Sequence, residues 1–194
     1  ISHRVAYLVH QGVKPGKILA ITFTNKAAQE MKDRIGALLK RLGENLNFYN
    51  QPFVSTFHSL GVSILKKNGS KIGISKNFSI FDQGDSLSLI KEAVKEMNLD
   101  EKQFQPSRVQ SIISRYKGDL ITNDEYRGTV GSEFFPGIIS QIWDKYEAGL
   151  VAQKALDFDD LILKTYLLLK NNAEARDYYQ ELWHYIVIDE SQAT

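Results

Sequence analysis

The sequence predicts an α/β protein in which buried parallel strands alternate with flanking helices, interrupted by a mostly helical insertion. Three observations carry that prediction. From Lys17 to Met31 a continuous apolar run, Ile18-Leu19-Ala20-Ile21, gives way to helical periodicity. A short apolar run bounded by a polar break suits a strand buried on both faces. Near the other end, Tyr185-Ile186-Val187-Ile188 is a second such run, closed by Asp189-Glu190-Ser191-Gln192. From Asp85 to about Gly149 there is no strand pattern, only apolar residues three and four apart. The expected organisation is an α/β domain built from residues 1–69 and 157–194, with residues 70–156 inserted as a helical subdomain.

In chain order, Ile1 to Gln11 reads as a helix: Val5, Leu8 and Val9 share a face, Ile1 lies one turn back, and Gly12 stops it. Pro15-Gly16 turns the chain into the first strand. Thr22-Phe23-Thr24-Asn25 then interrupts the apolar run. After it Ala27, Ala28, Met31, Ile35, Leu38, Leu39 and Leu42 mark one helix face. Thr24 or Asn25 can cap that helix and Gly43 can end it. A polar connection from Glu44 to Gln51 leads to a second short strand, Pro52 to His58. The helix that follows has Leu60, Ile64 and Leu65 inward and stops at Lys66-Lys67-Asn68-Gly69. Phe78 to Phe81 reads as one more short strand. In the middle, Leu87, Ile90, Val94 and Met97 lie on one helix. Pro106 suits the first turn of a second, with Val109, Ile112 and Ile113, and Ser132-Glu133 starts a third, with Phe134, Ile138, Ile142, Trp143 and Tyr146. Asp157 is a natural cap for a further helix, whose inward face is Phe158, Leu161, Ile162, Thr165, Leu168 and Leu169.

Composition narrows the class. Hydrophobic residues make up 43% of 194, enough for a core, and no apolar stretch approaches the length of a membrane span. The absence of cysteine excludes disulfide frameworks and thiolate metal sites. With no secretory pattern visible, the expected location is the cytoplasm. Net charge is +1, but residues 1–80 carry +9 and residues 81–194 carry −8. That asymmetry fits either a polyanion partner for the basic part or an ordinary solvated lysine surface.

Five places could carry chemistry, and the residues alone leave most of them open. Phe23 sits where a buried strand hands over to a helix, at the strand's carboxyl end, where open α/β sheets bind ligands. It reads either as packing under the helix or as a stacking platform for a base, with Thr22, Thr24, Asn25 and the helix N-terminus holding phosphates. Thr56-Phe57-His58-Ser59 repeats that arrangement at the second strand end, and its histidine reads as structural or as a ligand contact. Ile113-Ser114-Arg115-Tyr116-Lys117 mixes cations with an aromatic, which suits a solvated helix end or a nucleic-acid contact. Asp157, Asp159 and Asp160 are better explained by capping than by a metal. Asp189-Glu190, two acids at a buried strand end, are costly to desolvate unless charge is supplied; they form either a polar strand end or a seat for a metal-bound nucleotide.

Ile-Thr-Phe-Thr-Asn-Lys-Ala-Ala-Gln-Glu-Met, residues 21–31, resembles the motif that follows the ATP-binding loop in UvrD/Rep-type superfamily 1 DNA helicases. Thr56-Phe57-His58-Ser59, Ala155-Leu156-Asp157-Phe158-Asp159-Asp160-Leu161 and Asp189-Glu190 resemble further motifs of that family, in the same order. The resemblance spans nearly the whole chain. It implies a RecA-like (P-loop NTPase-type) sheet, the first motor domain, with an inserted DNA-contacting helical subdomain. It implies that Phe23 stacks on a base, and that Thr22, Thr24, Asn25, Lys26, Thr56 and His58 contact single-stranded DNA. It suggests a backbone contact from Ser114 or Lys117. It implies ATP and Mg²⁺ as cofactors: Asp189 would hold the nucleotide-bound metal, Glu190 would take the proton from attacking water, and Gln192 would couple nucleotide state to DNA. Single-stranded DNA and duplex junctions are the implied partners, and repair or replication the implied setting. Two residues depart from the family pattern: Ser191 stands where an aromatic is usual and Ala193 where an aspartate is. The phosphate-binding loop expected just before Ile1 is not in the sequence, so the chain by itself is expected to be inactive as an ATPase. The competing reading is a non-catalytic module that binds single-stranded nucleic acid and has lost its ATP site.

Overall fold

Strand β1 (Ile18–Thr22) is the middle of a three-stranded parallel sheet, flanked by β2 (Phe53–Thr56) and β5 (Tyr185–Ile188) in the order β2-β1-β5. The computed structural model describes residues 1–47, 50–131 and 133–189. The expectations for Ser132, Glu190, Ser191, Gln192 and Ala193 lie outside the described residues. The chain is a helix-rich α/β protein with two small parallel sheets.

Every residue of β1 is buried, as its continuous apolar run requires of a central strand. Ile18 and Ala20 face the helices α1 (Ser2–His10) and α2 (Asn25–Arg41), where Val5, Val9, Met31, Ile35 and Leu39 complete the core. Of the two candidate caps for α2, Thr24 does the work: its Oγ1 accepts the Ala27 N–H at 3.1 Å. Gly12 (φ +91°) and Gly43 (φ +81°) follow α1 and α2 in the left-handed region that favours glycine. Leu42, expected on the inward face, is instead the C-terminal cap and is exposed.

Two sequence expectations are corrected here. The strand expected to reach His58 ends at Thr56, and α3 (Phe57–Asn68) begins at once, because Thr56 Oγ1 accepts the Ser59 N–H at 3.2 Å and closes the first turn. The run Tyr185-Ile186-Val187-Ile188 is not buried on both faces. It pairs with β1 alone, and Ile186 is 62% exposed. Apolar composition says what a strand can bury; its place in the sheet is set by which strands pair with it.

The chain divides into two compact units, residues 1–60 with 172–194, and residues 61–171. The first holds the three-stranded sheet, α1, α2 and α9 (Ala173–Leu182). The second contains β3 (Ser79–Ile80), α4 (Gln83–Glu96), α5 (Pro106–Gly118), α6 (Asn123–Val130), α7 (Phe134–Ala152), β4 (Ala155–Leu156) and α8 (Asp160–Asn171). Its two-residue strands β3 and β4 pair in parallel, and its helices close around Ile90, Val94, Val109, Ile113, Ile142, Trp143 and Tyr146. The sequence reading lacked α6, β4 and α9, yet α6 announces itself by a capping box in which Thr122 and Glu125 bond reciprocally. In this unit α3 and α8 approach so closely that a Cβ at Gly61 would collide with the Leu161 carbonyl oxygen, so only glycine fits there. Phe158, expected inward, is 56% exposed; Leu163 is buried in the set that lines that face.

Candidate nucleic-acid interface

In the parallel register Thr22 pairs with Thr56, so Phe23 and Phe57 each come directly after the last residue of two neighbouring strands, at the carboxyl edge of the sheet. Both rings reach solvent: Phe23 is 52% exposed and Phe57 36%. Their centroids lie 5.8 Å apart with the planes tilted by 56°. Thr24, Asn25 and Lys26 are exposed beside Phe23, in the cap and first turn of α2. His58 is half-buried in the first turn of α3. Neither helix has an acid in its first turn, so two positive helix ends and the Lys26 ammonium meet at one edge with nothing in those turns to cancel them.

Thr22 and Thr56 lie beneath this surface. Both are buried, and the Thr56 hydroxyl is committed to α3: it donates to Ser59 Oγ at 3.0 Å while accepting the Ser59 N–H. Their placement suits holding the two crossings in position. Phe57, which sequence reasoning did not single out, also reaches solvent at this edge. The signal was present: Thr-Phe-His repeats Thr-Phe-Thr at a strand end.

On the other side of β1, Asp189 follows the Ile21–Ile188 pair and donates its N–H to the Ile21 carbonyl at 2.8 Å. It is half-buried, at the same edge as Phe23 but one strand over in the opposite direction from Phe57. The edge is thus segregated, with rings and cation over β2 and β1 and a carboxylate at the end of β5. The expectation that a doubly buried strand makes this acid costly to desolvate does not hold, because Tyr185, Ile186 and Ile188 are exposed and only Val187 is partly buried. Glu190 and Gln192 lie outside the described residues.

The expectation of a DNA contact from Lys117 is overturned. Lys117 is 1% exposed, and its Nζ lies 2.6 Å from Glu147 Oε1, 2.7 Å from Asp157 Oδ2 and 3.0 Å from Asp160 Oδ1. Asp157 also accepts the Asp160 N–H at 2.7 Å and the Tyr146 hydroxyl at 2.8 Å, so capping explains only part of the acidic run. Burial alone would lower the Lys117 pKa, but Asp160, Glu147 and Asp157 outweigh it and raise it well above the ordinary value. The spacing could have shown this: Val109, Ile113 and Lys117 are four apart, on the stripe α5 buries. Among the described residues no buried side-chain nitrogen or oxygen lacks a partner, and no cluster of three His, Asp or Glu is arranged to hold a metal ion.

The fold is a helix-rich α/β arrangement with a small parallel sheet, and the comparison with known families gives the class. Residues 1–194 match the UvrD/REP helicase N-terminal domain, and the chain belongs to that family. It is 40% identical over 195 residues to the ATP-dependent DNA helicase PcrA of Bacillus subtilis (strain 168), an alignment covering 100% of this chain and 25% of that protein. It is 37% identical to the ATP-dependent DNA helicase PcrA of Leuconostoc citreum, over 100% of this chain and 25% of the relative. The corresponding protein of Staphylococcus aureus (strain NCTC 8325 / PS 47) is 38% identical, over 100% and 26%. The chain therefore spans about a quarter of the length of the curated relatives it matches. No helix among the described residues is long and apolar enough to cross a membrane.

Proposed function

We propose that this chain forms the single-stranded DNA floor of the first RecA-like motor domain in an ATP-dependent DNA helicase, a cytoplasmic enzyme of DNA repair or replication that acts at duplex junctions. The observation that carries the reading is the single sheet edge on which exposed Phe23, Lys26 and two helix N-termini stand on one side and Asp189 on the other. Phe23 stacks on a base. Asn25, Lys26 and the cap of α2 draw in phosphates, with His58 at the start of α3. Thr22 and Thr56 hold the two crossings in position. Inter-strand spacing in a sheet is about 5 Å, so nucleotide chemistry at β5 and DNA at β1 share one rigid support.

Asp189 fits an ATP-bound Mg²⁺. It is a single hard oxygen donor, and Mg²⁺ is commonly held by one or two carboxylates plus substrate phosphates and water. Asp189 would hold the ion directly or through water, Glu190 would accept the proton of attacking water, and Gln192 would report nucleotide state to the DNA side. Mg-ATP held there would supply the phosphoryl-transfer chemistry.

The test is a fluorescence-anisotropy titration of oligo-dT at several salt concentrations. Weak, salt-sensitive binding with little sequence preference is expected. Phe23→Ala should weaken it about tenfold, within the roughly 1–3 kcal/mol range of base stacking on an aromatic, with the salt slope nearly unchanged. A folded Phe23→Ala protein that binds like the parent would return Phe23 to a packing role.

A further inference from the structure

Phe23 and Phe57 each follow directly on the last paired residues of adjacent strands, Thr22 and Thr56, but differ in how the chain holds them. Phe23 lies in the connection before α2, two residues ahead of the helix; Phe57 is already the first residue of α3. Both belong to the same compact unit, and their rings are close enough to form one apolar feature on a polar edge. The shape of that feature follows from the 56° between the planes. Consecutive stacked bases lie parallel, about 3.4 Å apart along a strand. Two ring planes so strongly tilted cannot both stack on consecutive bases that remain parallel. They can receive one base, face against one ring and edge against the other, in the edge-to-face arrangement that aromatic quadrupoles favour. Phe23 is the more exposed ring and stands beside Lys26, so it presents the face, and Phe57 the side wall. The flanking phosphates then fall toward the two helix N-termini, neither of which carries an acid in its first turn.

We propose that Phe57 is the second wall of a one-base notch, and that this notch unstacks single-stranded DNA between the nucleotide it holds and the next. The inference rests on the DNA-floor reading above and adds a residue and a distortion of the strand to it. A merely structural Phe57 would brace the Phe23 ring without touching DNA. The two roles separate experimentally, because leucine keeps the apolar bulk and loses the flat edge.

The full chain is titrated with oligo-dT by anisotropy, and with a short strand of 2-aminopurine, which is dim when stacked and brightens when a base is pulled from its neighbours. The parent should brighten the strand on binding. Phe57→Leu should bind about three- to tenfold more weakly, a part of the loss expected for a full stacking platform, and should lose the brightening. Phe57→Tyr should keep both. The double variant Phe23→Ala, Phe57→Leu should lose little more than Phe23→Ala alone, because both walls hold the same base. Circular dichroism confirms folding, and Phe57→Met replaces Phe57→Leu if the latter does not fold. A folded Phe57→Leu or Phe57→Met protein that binds and brightens like the parent, while Phe23→Ala binds weakly, overturns the notch; so do fully additive losses, which would mean two separate platforms. If Phe23→Ala also binds like the parent, the DNA-floor reading itself falls.

Discussion

At the start of α2, Thr24, Asn25 and Lys26 face solvent beside an exposed phenylalanine; at the start of α8, Asp157 and Asp160 are sealed around a buried lysine. Both are polar residues at helix N-termini, yet burial sends them to opposite uses. Around Lys117 three carboxylates, two ammoniums and the Tyr146 hydroxyl bond one another, since Lys164 Nζ also lies 3.1 Å from Glu147 Oε2. A desolvated charge left without its partner is very costly, so such a cluster holds its elements in one arrangement. At the sheet edge the opposite holds. An exposed Phe23 forgoes part of the roughly 1.5–3 kcal/mol that burying such a side chain contributes. On the proposed reading, a base stacked on the ring offsets that loss. The closed polar network is architecture; the exposed rings beside helix N-termini are where the proposed DNA contact lies.

The largest expected effect breaks the closed side. Lys117→Met leaves the buried Asp157 and Asp160, and the half-buried Glu147, without their shared cation and should cost about 3–5 kcal/mol at neutral pH. Urea unfolding followed by Trp143 fluorescence, in a Trp183→Phe background, reads it within the second unit. A loss below about 1 kcal/mol would mean the cluster contributes little, as some surface pairs do. Next comes the open side: Phe23→Ala should lose about tenfold in oligo-dT affinity, roughly 1–3 kcal/mol, without destabilising the fold. Measuring both variants in both assays sharpens the comparison, because Lys117→Met should move stability and Phe23→Ala binding.

The cluster also predicts a pH dependence. Three carboxylates share two ammoniums, so one carboxyl is in excess. Burial first, then Asp157 and Glu147, raises the pKa of Asp160 to about 6 against the pull of Lys117. For Glu147 burial pushes upward, but Lys117 and Lys164 outweigh it and hold it at about 2. A raised folded-state pKa contributes stability that is fully present below the unfolded value and lost as pH rises through the folded one; for Asp160 that window runs from 3.8 to about 6. Glu147 works the other way, contributing above 4.5 and losing that contribution as pH falls toward 2. From pH 5 to pH 7 the second unit should therefore lose stability, on the order of 1 kcal/mol, and Asp160→Asn should flatten that slope. An unchanged slope in Asp160→Asn would place the excess proton elsewhere. The smallest effect tests the cation at the open edge. Lys26→Ala should reduce the slope of log affinity against log salt by about 0.7, one phosphate contact on a single strand, with only a modest loss of affinity. A parent-like slope would leave the helix N-termini as the whole phosphate site.

Much of this molecule can be read one segment at a time. The run Ile18-Leu19-Ala20-Ile21 specifies a buried strand, the spacing of Met31, Ile35 and Leu39 specifies an inward helix face, and Thr24 and Gly43 mark its ends. These features depend on interactions within a few residues, so the sequence alone determines them. The family motifs are equally local and name Phe23 and Asp189 directly. Only the tertiary structure decides which runs become edges, which rings meet and which charges pair. Ile186 is apolar yet exposed because, among the described residues, no element covers its face of β5. Phe57 joins Phe23 because a register between strands more than thirty residues apart brings Thr56 opposite Thr22. Lys117 is buried where α7, the start of α8 and the segment before it bring Glu147, Asp160 and Asp157 to it from at least thirty positions away. Pairing and desolvation act between residues distant in the chain, and local periodicity carries no information about which distant partner arrives.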